Sequence, residues 1–329
     1  MIGNSLKDSF ERFNKIRCLI IGDVMVDSYI WGAVNRMSPE APVPVFEVEK
    51  RENRMGGAAN VALNVQSLGA IPILCGVVGT DSKGQIFKEL LKGSKLSTEG
   101  ILEDNSRATT SKTRVIGPDG HMLRVDEEEL SLVSDSIKKS LLVFVESEIA
   151  KGLDVIIFED YDKGVLDAEL IKQVILIANK QGVPTCVDPK INNFNNYVGA
   201  TLFKPNLKEL SEGLKVVVKK EDFTGIVQLG KKFIEEQQIK QILITLSEHG
   251  VIIANSSDSY HVKAEKRKIL DVSGAGDTVI STAAIALAAG IERNDIAVLA
   301  NLAGGIVCEE MGVVPITKKD LISEYNRLY

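Results

Sequence analysis

The stretch Asp271-Val272-Ser273-Gly274-Ala275-Gly276-Asp277-Thr278, just ahead of a strongly apolar, alanine-rich run, holds residue types that could do chemistry. Small residues between glycines let successive backbone N–H groups turn inward at a helix N-terminus. There the unpaired donors and the helix dipole favour an anion. Such a pattern is a phosphate cradle. A carboxylate at Asp277 beside that anion is unfavourable unless it has a task, such as taking a proton from a hydroxyl nucleophile. A helix cap and a plain glycine turn would look the same from so short a pattern alone.

Other candidates lie at the ends of apolar runs. Asp23 and Asp27 follow a buried strand expected over residues 17–21 that ends at Gly22, and open α/β sheets place ligands at such carboxyl ends. Carboxylates there can accept hydrogen bonds from hydroxyl groups. Gly56-Gly57 permits close backbone approach, and Asn60 and Asn64 share one helix face at i, i+4. Asn64 reads equally well as a structural amide tying that helix to a neighbour. Asn206 and Glu209 follow Lys204-Pro205 at a spacing of three. They suit support of a hard cation such as Mg2+ or, more simply, a capping box.

The elements that must position these residues alternate. Beyond a helix-like N-terminal segment, strands are expected at 17–21, 71–78, 155–158, 184–187, 201–203 and 242–245, with helices over 57–68, 81–91, 134–150, 167–180 and 224–237. Alternation of this kind implies a parallel sheet covered on both faces. Residues 42–49 alternate apolar with polar, and 109–125 read as two strands around Gly117-Pro118-Asp119-Gly120. These half-buried pieces are assigned to a small β lid, leaving one domain over 1–329 with lid insertions near 28–52 and 107–127.

Composition excludes several classes. Thirty-nine Lys+Arg against 45 Asp+Glu give a net charge of -6, which argues against a nucleic-acid partner or an anionic membrane surface. The two most apolar C-terminal stretches, 279–291 and 296–308, are split by charge and are each too short to span a bilayer. The N-terminus lacks the apolar core of a signal peptide, and Cys18, Cys75, Cys186 and Cys308 lie far apart. Reduced buried thiols in a cytoplasmic protein are expected. His121, His249 and His261 show no metal-ligand spacing.

Taken together, Gly22 with Asp27, Gly56-Gly57-Ala58-Ala59-Asn60, Asn206-x-x-Glu209, Thr245-Leu246-Ser247-x-x-Gly250 and the Asp271–Thr278 signature resemble the ribokinase-like (PfkB) carbohydrate kinases, in the family's order. The resemblance implies a ribokinase-like doubly wound, mostly parallel sheet with helices on both faces and a β lid over the sugar. It also implies ATP and Mg2+, and in parts of the family a monovalent cation such as K+ near Asp271. Asp277 would be the base, with the N–H groups of Gly274, Ala275 and Gly276 stabilising the transferring group. Asn206 and Glu209 would support Mg-ATP without ligating the metal directly, and Thr245, Ser247, Gly250 and Asn301 would contact the nucleotide. Ser247 stands where the family usually has Gly. Asp27 matches the family's sugar-binding Asp, with Asp23, Gly56, Gly57 and Asn60 around it. Met25 replaces the Asn that ribokinase has two residues earlier, which argues against ribose.

Residues 22–27, 37–44, 160–164 and 187–190 are similar to the heptose 7-phosphate kinases of lipopolysaccharide precursor synthesis. That likeness implies phosphorylation of the anomeric hydroxyl of D-glycero-β-D-manno-heptose 7-phosphate, so a small phosphosugar is the expected partner. A substrate phosphate calls for a cationic clamp. Arg114, Arg124 and Lys190 are its candidates, with Lys163 a further one. Kinases of this subfamily are often fused to a nucleotidyltransferase, and with the sequence running to Tyr329 a kinase without that fusion is the expectation. A homodimer through the β lid is expected, because family lids commonly pair and edge strands invite pairing. Another sugar kinase of this fold, acting on a fructose phosphate or ribose, and a non-catalytic sensor are the rival readings.

Overall fold

Short apolar runs with no room for a polar face become strands buried on both sides, and a computed structural model describing residues 9–328 shows this. In chain order the elements are β1 (Arg17–Gly22), β2 (Val24–Met37), β3 (Pro44–Gly57), α1 (Ala58–Ser67), β4 (Ile71–Gly79), α2 (Ser82–Gly93), β5 (Ile101–Asp104), β6 (Ser111–Gly117) and β7 (Gly120–Glu127). There follow α3 (Asp135–Ala150), β8 (Val155–Glu159), α4 (Ala168–Lys180), β9 (Thr185–Asp188), β10 (Leu202–Phe203), α5 (Leu207–Gly213), α6 (Phe223–Gln237) and β11 (Gln241–Thr245). The chain closes with β12 (Val251–Ala254), β13 (Ser259–Val262), α7 (Ala275–Ala288), α8 (Arg293–Val307) and α9 (Lys318–Leu328).

Among the described residues the larger sheet has the order β13-β12-β11-β10-β9-β8-β1-β4-β5. It is parallel from β5 to β11, and β12 and β13 add an antiparallel edge. One apolar core, including Ile20, Val61, Leu243 and Ile280, fills the face covered by α1, α7 and α8. A second, including Ile21, Phe158, Ile171 and Phe233, fills the face covered by α3, α4 and α6. From β1 the order runs one way to β4 and β5 and the other way to β8 through β11. This reversal opens a crevice at the carboxyl ends of the strands.

Helices begin where side chains can cap them. Asp81, Ser134, Asp167 and Asp222 each accept the N–H three residues on, opening α2, α3, α4 and α6. The smaller sheet has the order β3-β2-β6-β7, with the β6–β7 hairpin turning at Gly117 to Gly120. It differs from expectation in β2, a 14-residue strand starting at Val24, where the lid insertion was placed only from about residue 28 and strand-like alternation was read only at 42–49. Register shifts at Trp31/Gly32 and Val34/Arg36 break its two-residue period and hide it from an alternation test. The four cysteines are free and buried, and no helix among the described residues is long and apolar enough to cross a membrane.

Asn64 ties three elements together. Its amide nitrogen donates to Asn60 O at 3.0 Å, while its oxygen accepts from Thr278 Oγ1 at 3.0 Å and from Ile316 N at 3.1 Å. The structural alternative given for this residue is the one the geometry supports. Asn64→Leu would leave the Thr278 hydroxyl and the Ile316 N–H buried and unpaired, a loss of about 2–4 kcal/mol. Urea unfolding should show a lower midpoint with an unchanged slope, and an unshifted midpoint would contradict the tie.

Candidate active site

Three buried carboxyl groups meet at the crevice. Glu159 ends β8, Asp188 ends β9 at the position paired with it, and Asp277 stands in the first turn of α7. One oxygen of each lies within 4.8 Å of the others. Lys204, just after β10, pairs with Asp188 at 2.8 Å, with both side chains buried. Burial raises the Glu159 carboxyl well above its ordinary range, and Asp188 and Asp277 add to this. Burial likewise pushes Asp277 up to about 6, against hydrogen bonds that favour its charged form.

Those hydrogen bonds come one to each oxygen. Asn60 Nδ2 donates to Asp277 Oδ2 at 2.6 Å, and Tyr161 Oη donates to Oδ1 at 3.0 Å. Asn60 was expected at the sugar, and its amide nitrogen is instead engaged by Asp277. Its Oδ1 is buried with no partner. Gly274 caps α7 at φ 79, a left-handed conformation that suits glycine. The Ala275 N–H, expected in the cradle, turns back onto Val272 O at 3.3 Å because the residues before the helix close a tight turn. The N–H groups of Gly276 and Asp277, in the first turn, have no intrahelical acceptor and remain for an anion.

On one side of this centre lies a cavity of about 700 Å³ lined by Thr245, Ser247, Gly250, Gly276 and Asn301, with Val251, Ile269, Val279 and Leu302 as an apolar wall. An apolar slot closed by a helix N-terminus suits a purine nucleotide. Asn301 is tied by its amide to Lys263 O at 2.9 Å. Asn206 and Glu209 form the capping box of α5: Glu209 N donates to Asn206 Oδ1, and Asn206 N to Glu209 Oε2, both at 2.8 Å. The other Glu209 oxygen accepts from Lys190 Nζ at 2.8 Å. Lys190, expected in the sugar-phosphate clamp, therefore belongs to the acidic cluster, since it also stands close enough to Asp188 for that charge to raise its own pKa.

Asp23, also expected at the sugar, has a different task. Its Oδ2 accepts from the N–H groups of Tyr161 at 2.8 Å and Lys163 at 3.1 Å, and its Oδ1 from Val165 at 3.2 Å. Three amides occupy the carboxylate, so it shapes the loop after β8. Asp27 on β2 pairs with Arg114 on β6 at 2.6 Å. A Cβ on Gly56 would collide with the Asp27 carboxyl group, so that glycine is required by close approach. Gly57 leads straight into α1. Arg54 and Arg114 lie over the Tyr29 ring, 4.9 and 5.3 Å from its centroid. Arg124 is instead 61% exposed on the edge strand β7 and paired with Asp126 at 2.9 Å.

Glu159, Tyr161, Arg54 and Lys204 were not anticipated as site residues. The signal for Glu159 was available: it opens an acidic stretch, Glu159-Asp160, directly after a fully apolar run, at the end where open sheets bind ligands. Three convergent carboxyl groups, with Glu159 Oε2 buried and unpartnered, fit a hard divalent cation such as Mg2+.

Comparison with known proteins agrees with this geometry. The pattern of the pfkB family carbohydrate kinases matches residues 15–319. Relatives include the bifunctional protein HldE of Desulfatibacillum aliphaticivorans, 39% identical over 310 residues, covering 94% of this chain and 63% of that protein. The HldE of Pelobacter propionicus is 36% identical over 97% of this chain and 65% of its own length. The chain thus spans less than two thirds of these relatives. Among solved structures, phosphofructokinase-2 from Escherichia coli in complex with potassium has a TM-score of 0.77 at 19% identity, covering 95% of this chain and 99% of that one. Arabidopsis thaliana ribokinase complexed with ribose and ATP has a TM-score of 0.72 at 19% identity, covering 94% and 97%. With its doubly wound sheet, its lid and its acidic centre at the strand ends, the chain belongs to the pfkB family of ATP-dependent carbohydrate kinases.

Proposed function

We propose that the chain phosphorylates the anomeric hydroxyl of D-glycero-β-D-manno-heptose 7-phosphate, using ATP, with Asp277 as the base. The observation that carries the chemical part is the Asp277 carboxylate, buried, raised to about 6 and held by one donor on each oxygen at the N-terminus of α7. The heptose reading is supported by the HldE relatives and by the motifs shared with heptose 7-phosphate kinases.

In this reading ATP lies in the cavity between Thr245, Ser247, Gly250 and Asn301, with its γ-phosphoryl group at the first-turn N–H groups of α7. Glu159 and Asp188 would hold Mg2+, which neutralises phosphate charge when bound. Asn206 and Glu209 support that end through Lys190. The sugar lies against Asp27, Gly56 and Asn60, where Asn60 Oδ1 accepts from a hydroxyl. Asp277 takes the proton of the attacking hydroxyl, and the N–H groups of Gly276 and Asp277 in the first turn of α7 meet charge on the transferring group. Arg114 and Arg54, flanking Tyr29, are the cations for the sugar phosphate. The exposed apolar Met122, Leu123 and Val125 on β7 support a homodimer through the lid.

A coupled ADP-release assay with the heptose 7-phosphate beside fructose 6-phosphate, fructose 1-phosphate and ribose should show kcat/KM at least about tenfold higher for the heptose. Equal or higher values for a fructose phosphate or ribose would favour the rival kinase reading, and silence with every sugar would favour a sensor. Asp277→Asn should lose about 10³-fold in kcat while keeping the wild-type fold. A base must be unprotonated, so kcat/KM should fall about tenfold per pH unit below about 6; a flat profile down to pH 5 would remove Asp277 from that role.

Arg114→Ala should raise KM for the phosphosugar about tenfold and leave KM for ATP unchanged, whereas Arg124→Ala should alter neither. The reverse order would return the clamp to the exposed edge. Sedimentation equilibrium should report a dimer that Leu123→Lys dissociates, and a monomer at micromolar concentration would contradict the lid interface.

A further inference from the structure

The segment Asp160-Tyr161-Asp162-Lys163-Gly164 links β8 to α4 and is held by more bonds than a connecting loop needs. Asp23 accepts its amides at Tyr161 and Lys163, and Asp160 Oδ1 accepts the Asp162 N–H at 2.9 Å. Asp160 Oδ2 accepts from Tyr197 Oη at 2.8 Å and from Asn193 Nδ2 at 3.0 Å, both from buried side chains. Lys163 pairs with Glu128 at the root of the lid, and Gly164 O accepts from Val133 N at 2.9 Å. The loop keeps Asp162 at φ 55, a conformation that persists only where surrounding contacts enforce it.

What these bonds immobilise is Tyr161, whose phenol reaches Asp277 Oδ1. A carboxylate on a short side chain turns easily about its last bond. Here Glu159 from β8 and Asp188 from β9 press on it with like charge, while Lys204 after β10 is paired with Asp188 and Lys190 after β9 with Glu209. A lysine donor would compete as an ion-pair partner and lower the basicity of the group. A phenol, neutral and facing carboxylates, holds the oxygen without cancelling its charge.

We infer that Tyr161 is the positioning residue of the base: together with Asn60 it fixes the plane of the Asp277 carboxylate, leaving a lone pair aimed at the acceptor hydroxyl. The inference rests on the reading of Asp277 as the base. Tyr161→Phe keeps the ring, and its contact with Lys190 Nζ at 5.2 Å, while removing the donor. Its kcat should fall about 10- to 100-fold with KM for ATP and for the sugar within about twofold of wild type, the signature of lost alignment. Placing 3-fluorotyrosine at 161 restores a donor on the same ring and should return kcat to within about threefold of wild type.

Unchanged kcat in Tyr161→Phe, a rise in sugar KM alone, or a fluorotyrosine protein as slow as the Phe variant would each overturn the inference. Asp277→Asn measured alongside separates the two claims. If it is inactive while Tyr161→Phe turns over normally, only the positioning role fails. If Asp277→Asn itself turns over normally, the reading of the base fails first.

Discussion

Burying like charges together is the constraint around which this structure is arranged. Glu159, Asp188 and Asp277 converge within 4.8 Å in a site from which each is largely screened from water. Such a cluster is tolerable only with compensation, and the protein places it where compensation converges. Lys204 and Lys190 approach from the loops after β10 and β9, and the positive end of α7 lies beneath Asp277. The remaining imbalance raises the carboxyl pKa values and leaves a site suited to cations. In the proposed reading a magnesium nucleotide would bring the cation, and the first turn of α7 would meet the anion.

The larger fold follows from where those charges must stand. Parallel strands buried on both faces deliver their last residues to one edge in register, so Glu159 and Asp188 are neighbours by strand pairing alone. The two apolar cores on opposite faces keep that edge rigid. Polar ties then set the pieces that strand pairing does not reach. Asn64 locks α1 to α7, and Asp23 and Asp160 shape the loop that carries Tyr161. The lid adds Asp27 and Arg54 on β2 and β3, which follow β1, and Arg114 on β6, which follows β5.

What could be read from the chain alone was whatever has a local cause. Helix starts at Asp81, Ser134 and Asp167 announce themselves through capping side chains, and the glycines around Ala275 announce an anion site at a helix N-terminus. The place of Asp277 in the first turn of that helix was legible for the same reason. β2 was not, because its bulges erase the alternation that identifies a strand. Glu159 is marked in the chain only by its place at the end of an apolar run, since Asp188 and Asp277 reach it only through the sheet and α7. Tyr161 sits in a polar loop, where a tyrosine has no periodicity to mark it. Asp23, Asn60 and Lys190 were found as polar residues near the crevice, but their tasks depend on which neighbour reaches them first. That neighbour was a set of loop amides for Asp23, Asp277 for Asn60 and Glu209 for Lys190.

The central claim is a transfer of phosphate to one particular oxygen of a sugar that already carries another phosphate. Following the reaction of ATP and the heptose 7-phosphate by ³¹P NMR tests it most directly. One ADP should appear for each new phosphate resonance, coupled to the anomeric carbon. Phosphate on a different carbon, or ADP released without any new sugar phosphate, would contradict the account.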